Sequence, residues 1–267
     1  MSLRSRSAFR GLLLVLVVAS FPRPAAATVL LYQNYFELPN GFVDTTGKDV
    51  SQQSVSTLYD QPGFAFQQIN TVETLEIHGG TAFGTGYSDP QGIGGDYTPG
   101  MLSAVQDDHL ALTFDVGSFA FLNVGMDISA IDLDGVGGPF GVTEPIFRLR
   151  LYDSPGGVFS IVSPGTLLDQ VDVTGTGTAS ASVFDWTAVV GALSASGSQD
   201  GHVSLDIDLI QGGYAGFDNL RVVASDTPGL VPEPATSALV VLGLCAMAGF
   251  AARRRRIGCP KIPPARF

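Results

Sequence analysis

Strict alternation of apolar and polar residues is the feature that most constrains the fold of this chain. In HVSLDIDLI, residues 202–210, every second side chain is apolar and those between are serine or aspartate. FRLRLYD, residues 147–153, has the same pattern. A period of two places successive side chains on opposite faces of a strand. Each segment is therefore predicted to form a strand with one buried face.

Further strand candidates begin at Gly63, His109, Phe119 and Leu167, and another lies in GYAGFDNLRVV. Glycine-rich clusters such as DGVGGPFG and TGTGT separate them and indicate turns. Only residues 184–194 are predicted to form a short helix. The sequence therefore predicts an all-β fold, a single antiparallel β-sandwich of the jelly-roll-like kind over residues 28–224. A linker over residues 225–230 follows.

Charge excludes one class of partner. Residues 28–229 contain 24 of the 25 acidic residues but only four basic ones, which gives a formal net charge of −20. Nucleic acid is excluded as a partner because phosphate neutralisation needs basic surface. The two cysteines, Cys245 and Cys259, lie outside this acidic body and cannot form a disulfide framework. So acidic a domain indicates an environment that contains cations.

The N-terminus has the pattern of a secretory signal peptide. Three arginines, the last at Arg10, precede an apolar run over residues 11–21, and Ala25 and Ala27 provide small residues for signal peptidase. Residues 1–27 are therefore predicted to be removed. An uncleaved anchor helix is the alternative, but the run is shorter than the roughly 20 residues that a membrane span needs.

The C-terminus predicts a membrane anchor. Residues 235–252 carry no charge and are long enough for a transmembrane helix, and four arginines follow them. The arginines predict a cytoplasmic end, which places the acidic body beyond the inner membrane. The tripartite pattern consists of Val231, Pro232, Glu233, Pro234, the apolar run and Arg253, Arg254, Arg255 and Arg256.

This pattern over residues 231–256 resembles the PEP-CTERM sorting signal of exopolysaccharide-producing Gram-negative bacteria. The resemblance implies that an exosortase, a membrane-embedded cysteine transpeptidase, recognises Pro232–Pro234 and processes the protein during export. In that family the basic cluster usually ends the chain, whereas here residues 257–267 follow as a predicted cytoplasmic tail. An ordinary tail anchor is the alternative, although such an anchor does not need the Pro-Glu-Pro segment.

Motifs for nucleophilic or zinc-dependent catalysis are missing from the sequence. The body contains no cysteine, no G-x-S-x-G and no H-E-x-x-H, and its histidines are His78, His109 and His202. Each histidine lies near a strand edge, so we expect surface histidines and a non-enzymatic protein. Two enzymatic alternatives stay open: a catalytic triad assembled from residues distant in the sequence, and a glycosidase that uses two carboxylates.

Calcium is the one cofactor for which the sequence offers ligands. Asp218 shares strand parity with Leu220, so it is expected to point toward the core, where a carboxylate needs a partner. The segment around Asp218 resembles the last strand of galactose-binding-like jelly rolls, which implies a structural calcium shared with Glu37. Backbone hydrogen bonds or pairing with Arg221 are the alternatives.

A weaker calcium candidate lies in the segment IDLDG. Asp132 and Asp134, followed by a glycine, resemble the first half of a calcium loop, but the remaining EF-hand ligands do not follow. An acidic strand end exposed to water is the alternative.

A carbohydrate site would need an exposed aromatic ring. Tyr87 and Tyr97 bracket the longest glycine-rich loop and are predicted to be the exposed pair, with packing in the core or a turn as the alternative.

Together these features predict an exported, exosortase-processed, non-enzymatic protein of the cell surface or extracellular matrix, linked to exopolysaccharide or biofilm. After processing, the transient C-terminal anchor would be lost. A carbohydrate-binding module of the matrix is the first alternative, and a secreted glycan-active enzyme is the second.

Overall fold

A computed structural model describes residues 27–103, 107–131, 144–176 and 182–229. These residues form one four-residue helix, α1 (Val55–Leu58), two short 3₁₀ turns and twelve strands. The strands are β1 (Thr28–Asn34), β2 (Val50–Ser51), β3 (Gln67–Ile69), β4 (Glu73–Glu76), β5 (Tyr97–Leu102), β6 (His109–Asp115), β7 (Phe121–Ala130), β8 (Ile146–Asp153), β9 (Leu167–Thr174), β10 (Thr187–Ser194), β11 (His202–Gln211) and β12 (Tyr214–Ser225).

The strands form two antiparallel sheets that pack face to face. The seven-stranded sheet has the order β10-β7-β12-β5-β4-β2, with β1 paired to β12, and the five-stranded sheet has the order β3-β6-β11-β8-β9. From β5 onward the chain passes repeatedly from one sheet to the other, which is the connectivity of a jelly roll. The predicted all-β sandwich is therefore confirmed.

The core lies between the sheets and follows the alternation in the sequence. Along β8 half-buried and buried residues alternate without exception, and Leu149 and Leu151 are fully buried. In β11 the apolar set that includes Leu205 and Ile207 joins the same core. Phe217 of β12 is fully buried at its centre, with its ring 6.0 Å from that of Phe147.

The prediction of a short helix over residues 184–194 is wrong. Thr187–Ser194 is strand β10, paired with β7 along its whole length. Its β-branched residues favour an extended backbone, and edge pairing supplies the hydrogen bonds that a helix would otherwise make. Gly191 lies against the other sheet, because a Cβ there would come within 2.6 Å of Leu149 Cδ1.

The two ends of the sandwich leave it side by side. Strand β1 pairs antiparallel with β12, so that Thr28 faces Ser225. Residues 225–229, the described part of the linker predicted over 225–230, are held against the domain by the fully buried Asn123. Its Nδ2 donates to Ser225 Oγ at 2.6 Å, and its Oδ1 accepts from the Gly229 amide at 2.7 Å. The segment is thus fixed up to Gly229.

No helix in the described part of the chain has the length and hydropathy of a membrane span. The predicted signal peptide, apart from Ala27, and the predicted transmembrane helix over residues 235–252 lie outside the described residues.

Candidate functional site

Strand β12 carries a bulge at the position of the predicted calcium ligand. Asn219 has a φ of 52°, and the register with β7 shifts between Asp218 and Arg221. Phe217 and Leu220 consequently both face the core, although three positions separate them. The extra residue is what such a bulge inserts into an antiparallel pair.

The bulge reverses the orientation expected for Asp218. This residue pairs with Asp127, whose neighbours Met126 and Ile128 face the core, so both aspartates lie on the outer face of the seven-stranded sheet. The parity argument was therefore wrong. Asp218 is nevertheless completely buried, because loops cover this face.

Two chain segments meet over Asp218. The Glu37 carboxylate accepts a hydrogen bond from the Asp96 amide at 2.8 Å, which joins the segment after β1 to the loop before β5. Asn219 Nδ2 donates to Asp127 Oδ2 at 2.7 Å and to the Ile93 carbonyl at 3.2 Å. Gly95 permits this approach, because a Cβ there would lie 1.5 Å from Glu37 Oε1.

The electrostatics at Asp218 are those of a crowded carboxylate cluster. Burial, with a smaller contribution from the nearby carboxylates of Glu37, Asp127 and Asp89, raises the pKa of Asp218 to about 9, against one backbone hydrogen bond that lowers it. One oxygen of Asp218 accepts that bond from the Asn219 amide. The other, Oδ2, is buried and has no hydrogen-bond partner.

The chemistry of these oxygen donors is the kind that calcium uses. Calcium takes 6–8 oxygen ligands, with carboxylates and carbonyls preferred. Asp218 Oδ2 lacks a partner, and Glu37 and Asp127 add carboxylates around it. The alternative of an Asp218–Arg221 pair is not supported, since Arg221 Nε is also buried without a partner. Glu37 is thus near enough to Asp218 to affect its pKa, and so is Asp127, which the sequence did not single out for this site.

The other candidates from the sequence have different outcomes. Asp132 and Asp134 lie outside the described residues, as does the sorting pattern from Val231 onward. The expectation that Tyr87 is exposed is wrong, because only 3% of it is exposed and its ring packs 6.1 Å from Phe184. This ring belongs to a small second core at the edge of the seven-stranded sheet.

Tyr97 is half-buried, and like Tyr87 it does not present a free ring face on which a sugar could stack. Its ring lies 5.1 Å from that of Phe42, and its hydroxyl donates to Glu76 Oε1 at 3.4 Å.

A cleft with an exposed aromatic ring lies instead beside β1. Its volume is about 320 Å³, and Tyr35, which is 52% exposed, lines it. Gln33 Nε2 donates to the Tyr35 hydroxyl, and Gln61 Nε2 donates to the Gln33 carbonyl at 3.5 Å, which joins the two walls. Asn40 and Asp60 also line it, so a ring and several polar groups converge there.

A second charged group lies on the outer face of the five-stranded sheet. We call Asp107, His109, Arg150, Asp206 and Asp208 the outer polar cluster. His109 Nδ1 lies 3.1 Å from Asp206 Oδ1, and Arg150 Nη1 lies 3.2 Å from Asp206 Oδ2 and 2.8 Å from Asp208 Oδ2. The hydrogen bond to Asp206 raises the pKa of His109 to about 9, against the opposing effect of burial.

The sequence analysis missed this cluster because it assigned the polar faces of β8 and β11 to solvent. The signal was present in the alternating residues. Arginines occupy the outer positions of FRLRLYD and aspartates those of HVSLDIDLI, and opposite charges on paired strands attract each other. Of the three histidines, His109 is therefore not a simple surface residue. His202 is the first residue of β11, and its Nδ1 lies 3.3 Å from Asp200 Oδ1. Its position near the end of a strand is therefore as predicted.

Residues 230–256 match the model of the PEP-CTERM protein-sorting motif. The match spans the Pro-Glu-Pro segment, the apolar run and the arginines, so the predicted sorting signal is confirmed. The motif implies export and a C-terminal membrane anchor that an exosortase processes. No curated protein matches the sequence significantly.

Solved structures resemble the sandwich at low sequence identity. An apo cyclase from Fischerella sp. is 15% identical with a TM-score of 0.43, over 76% of this chain and 98% of the cyclase. The CBM22-1 xylan-binding domain of Paenibacillus barcinonensis Xyn10C is 10% identical with a TM-score of 0.35, over 77% and 99%. TmCBM61, solved with β-1,4-galactotriose, is 12% identical with a TM-score of 0.35, over 66% and 90%. At this distance the similarity concerns the fold alone.

Proposed function

We propose that this chain is a non-enzymatic protein of the cell surface or extracellular matrix, delivered there by exosortase processing and associated with exopolysaccharide. The observation that carries the proposal is the sorting motif at residues 230–256, directly after the folded domain. Asn123 fixes the chain up to Gly229, so the domain stands immediately before the segment that the exosortase recognises. A β-sandwich displayed by such a signal acts outside the inner membrane.

The test of this proposal is Glu233→Ala in an exosortase-positive host. Because Glu233 is the central residue of the recognition segment, we expect the variant to stay in the membrane fraction with its C-terminus intact. The measurement is the mass of the C-terminal peptide and the amount of protein outside the cell.

Asp226→Ala is the matched control, because Asp226 is an exposed acidic residue shortly before the motif. We expect wild-type processing for this control, and little effect from deleting residues 257–267. Export of Glu233→Ala at the wild-type rate with the wild-type C-terminus would contradict the proposal.

Calcium has a structural part in this proposal. Glu37, Asp127 and Asp218 would hold the ion and tie the loop before β5 to strand β12. Ionising the buried Asp218 beside other carboxylates is unfavourable, and a divalent cation would offset that cost.

Carbohydrate binding at the cleft beside β1 is the second candidate function. Its volume of about 320 Å³ is within the range of small-molecule sites, and Tyr35 offers an exposed ring with amide and carboxylate groups around it. Aromatic rings with polar surroundings suit sugar rings, which have apolar faces and hydroxyl edges.

We expect Tyr35→Ala to abolish retention of the chain on its own exopolysaccharide and on any positive spot of a glycan array. Tyr152→Ala is the control, since Tyr152 is a half-buried tyrosine of the five-stranded sheet. Equal retention of both variants would exclude the cleft as the sugar site.

A further inference from the structure

We infer that Asp107, His109 and Asp208 of the outer polar cluster form a binding site for a divalent transition metal ion of the zinc class. One ligand atom from each of the three side chains lies within 4.8 Å of the other two. His109 of β6 and Asp208 of β11 are direct cross-strand partners, and Asp107 lies two residues before His109, the first residue of β6. The sheet itself therefore brings the three ligands together, far from the carboxylate cluster at Asp218.

The surroundings of His109 fix which of its ring nitrogens faces the site. Nδ1 lies 3.1 and 3.2 Å from the two oxygens of Asp206, so a proton on Nδ1 is held there. A carboxylate behind a histidine in this way is the usual support of a metal-binding imidazole. The lone pair of Nε2 is thereby directed to the other side, toward Asp107.

The distance between Nε2 and Asp107 suits a shared cation as well as an ion pair. Asp107 Oδ2 lies 3.5 Å from His109 Nε2, so a protonated ring pairs with Asp107, and a metal ion that displaces the Nε2 proton would take both atoms as ligands. A tetrahedral zinc ion with bonds of about 2.0–2.2 Å separates its ligand atoms by about 3.4 Å. The observed spacing therefore lets one ion replace the proton without a large movement of either side chain.

Asp208 provides an independent observation. Its side chain is only 4% exposed, and Oδ2 lies 2.8 Å from Arg150 Nη1. Its second oxygen, Oδ1, is buried and has no hydrogen-bond partner. A buried carboxylate oxygen without a partner is unfavourable, and a metal ion beside His109 would satisfy it.

Charge and ligand type select the metal. Asp107, Asp206 and Asp208 carry three negative charges and Arg150 carries one positive charge, so with a neutral His109 the cluster has a formal charge of −2. A divalent ion neutralises it. One imidazole with carboxylates suits zinc and its neighbours in the transition series, whereas calcium and magnesium prefer oxygen ligands alone. The Asp107 side chain is 77% exposed and leaves the site open to solvent.

The test is zinc binding to the full chain, purified in detergent and stripped of metal, with Cys245→Ser and Cys259→Ser to remove the thiols. Calorimetric titration with Zn²⁺ near neutral pH should show one equivalent bound, and Co²⁺ should give the visible absorption of a four-coordinate site. We expect His109→Gln to abolish both signals. Asp206→Asn, which removes the support of the ring, should weaken zinc binding about 10- to 100-fold.

Asp107→Asn keeps the test valid if other variants fold poorly, because its side chain is largely exposed and cannot hold the core together. It should lower the zinc affinity clearly, while Asp218→Asn should leave it unchanged. His202→Gln is the matched control, since His202 also pairs with an aspartate, at 3.3 Å, but at the other end of β11. Zinc affinity that is unchanged in either His109→Gln or Asp107→Asn overturns the site.

Discussion

Millimolar calcium is expected to stabilise this protein specifically, through Glu37 and Asp218. Extracellular modules hold calcium with dissociation constants of about 0.1–1 mM, and a tenfold to hundredfold excess over the lower of these values adds about 1.4–2.7 kcal/mol to the free energy of unfolding. The physical reason is the buried Asp218 Oδ2, which has no hydrogen-bond partner. Thermal melting with calcium and with chelator measures the effect.

The pH dependence of the calcium effect follows from the same carboxyl group. The pKa of Asp218 is raised to about 9 in the folded protein by burial, from an ordinary value of 3.8. Between these values the folded state holds a proton that the unfolded state has lost, so without calcium stability falls as pH rises. Calcium displaces that proton, and its stabilising effect is therefore expected to grow from pH 5 toward pH 8, within this range.

Controls must separate a specific site from general screening of the −20 charge. Magnesium at equal ionic strength provides the screening alone. Asp218→Asn and Glu37→Gln should both abolish the calcium-specific part, and Asp115→Asn, an exposed acidic residue on the five-stranded sheet, should keep it. Equal shifts with magnesium, or a calcium effect in both site variants, would leave Asp218 as an ordinary buried carboxyl.

The largest loss of stability is expected for Phe217→Ala. The Phe217 ring is fully buried between the sheets, 5.6 Å from Phe36 and 6.0 Å from Phe147. Removing such a ring leaves a cavity that the surrounding strands fill only in part, which costs about 3–5 kcal/mol. Urea unfolding in the presence of calcium measures the change in the free energy of unfolding.

Phe42→Ala is the matched control for this substitution. Phe42 is half-buried, and its ring packs 5.1 Å from Tyr97 at the rim of the seven-stranded sheet. Its loss should cost clearly less than the loss of Phe217. Similar costs for the two variants would contradict the central packing of Phe217 between the sheets.

The fold was predictable wherever apolar residues alternate strictly, because only one register of such a strand buries them. Strands β8 and β11 were identified on this ground, and their inner faces form the core. Strand β10 was not, since its valines and Gly191 alternate weakly at the sheet edge. The short strands β2 and β4 have too few residues to show a period.

The candidate site was predictable only in part. Glu37 and Asp218 were paired through a resemblance, and Glu37 does act electrostatically on Asp218, but the bulge at Asn219 is invisible in the sequence and reverses the expected orientation. A bulge depends on the partner strand, and parity within one strand does not contain that information. The outer polar cluster likewise depends on the pairing of β8 with β11 and of β11 with β6.

The pairing of Thr28 with Ser225 has a consequence for export. Ala27 and the segment up to Gly229, the two ends of the described chain, therefore leave the sandwich at neighbouring points of the same sheet edge. Strand β12 contributes to three pairings, with β1, β5 and β7, and is the last strand of the described chain. The seven-stranded sheet therefore closes only once the C-terminal end of the body is available, so during export its completion would come late in translocation.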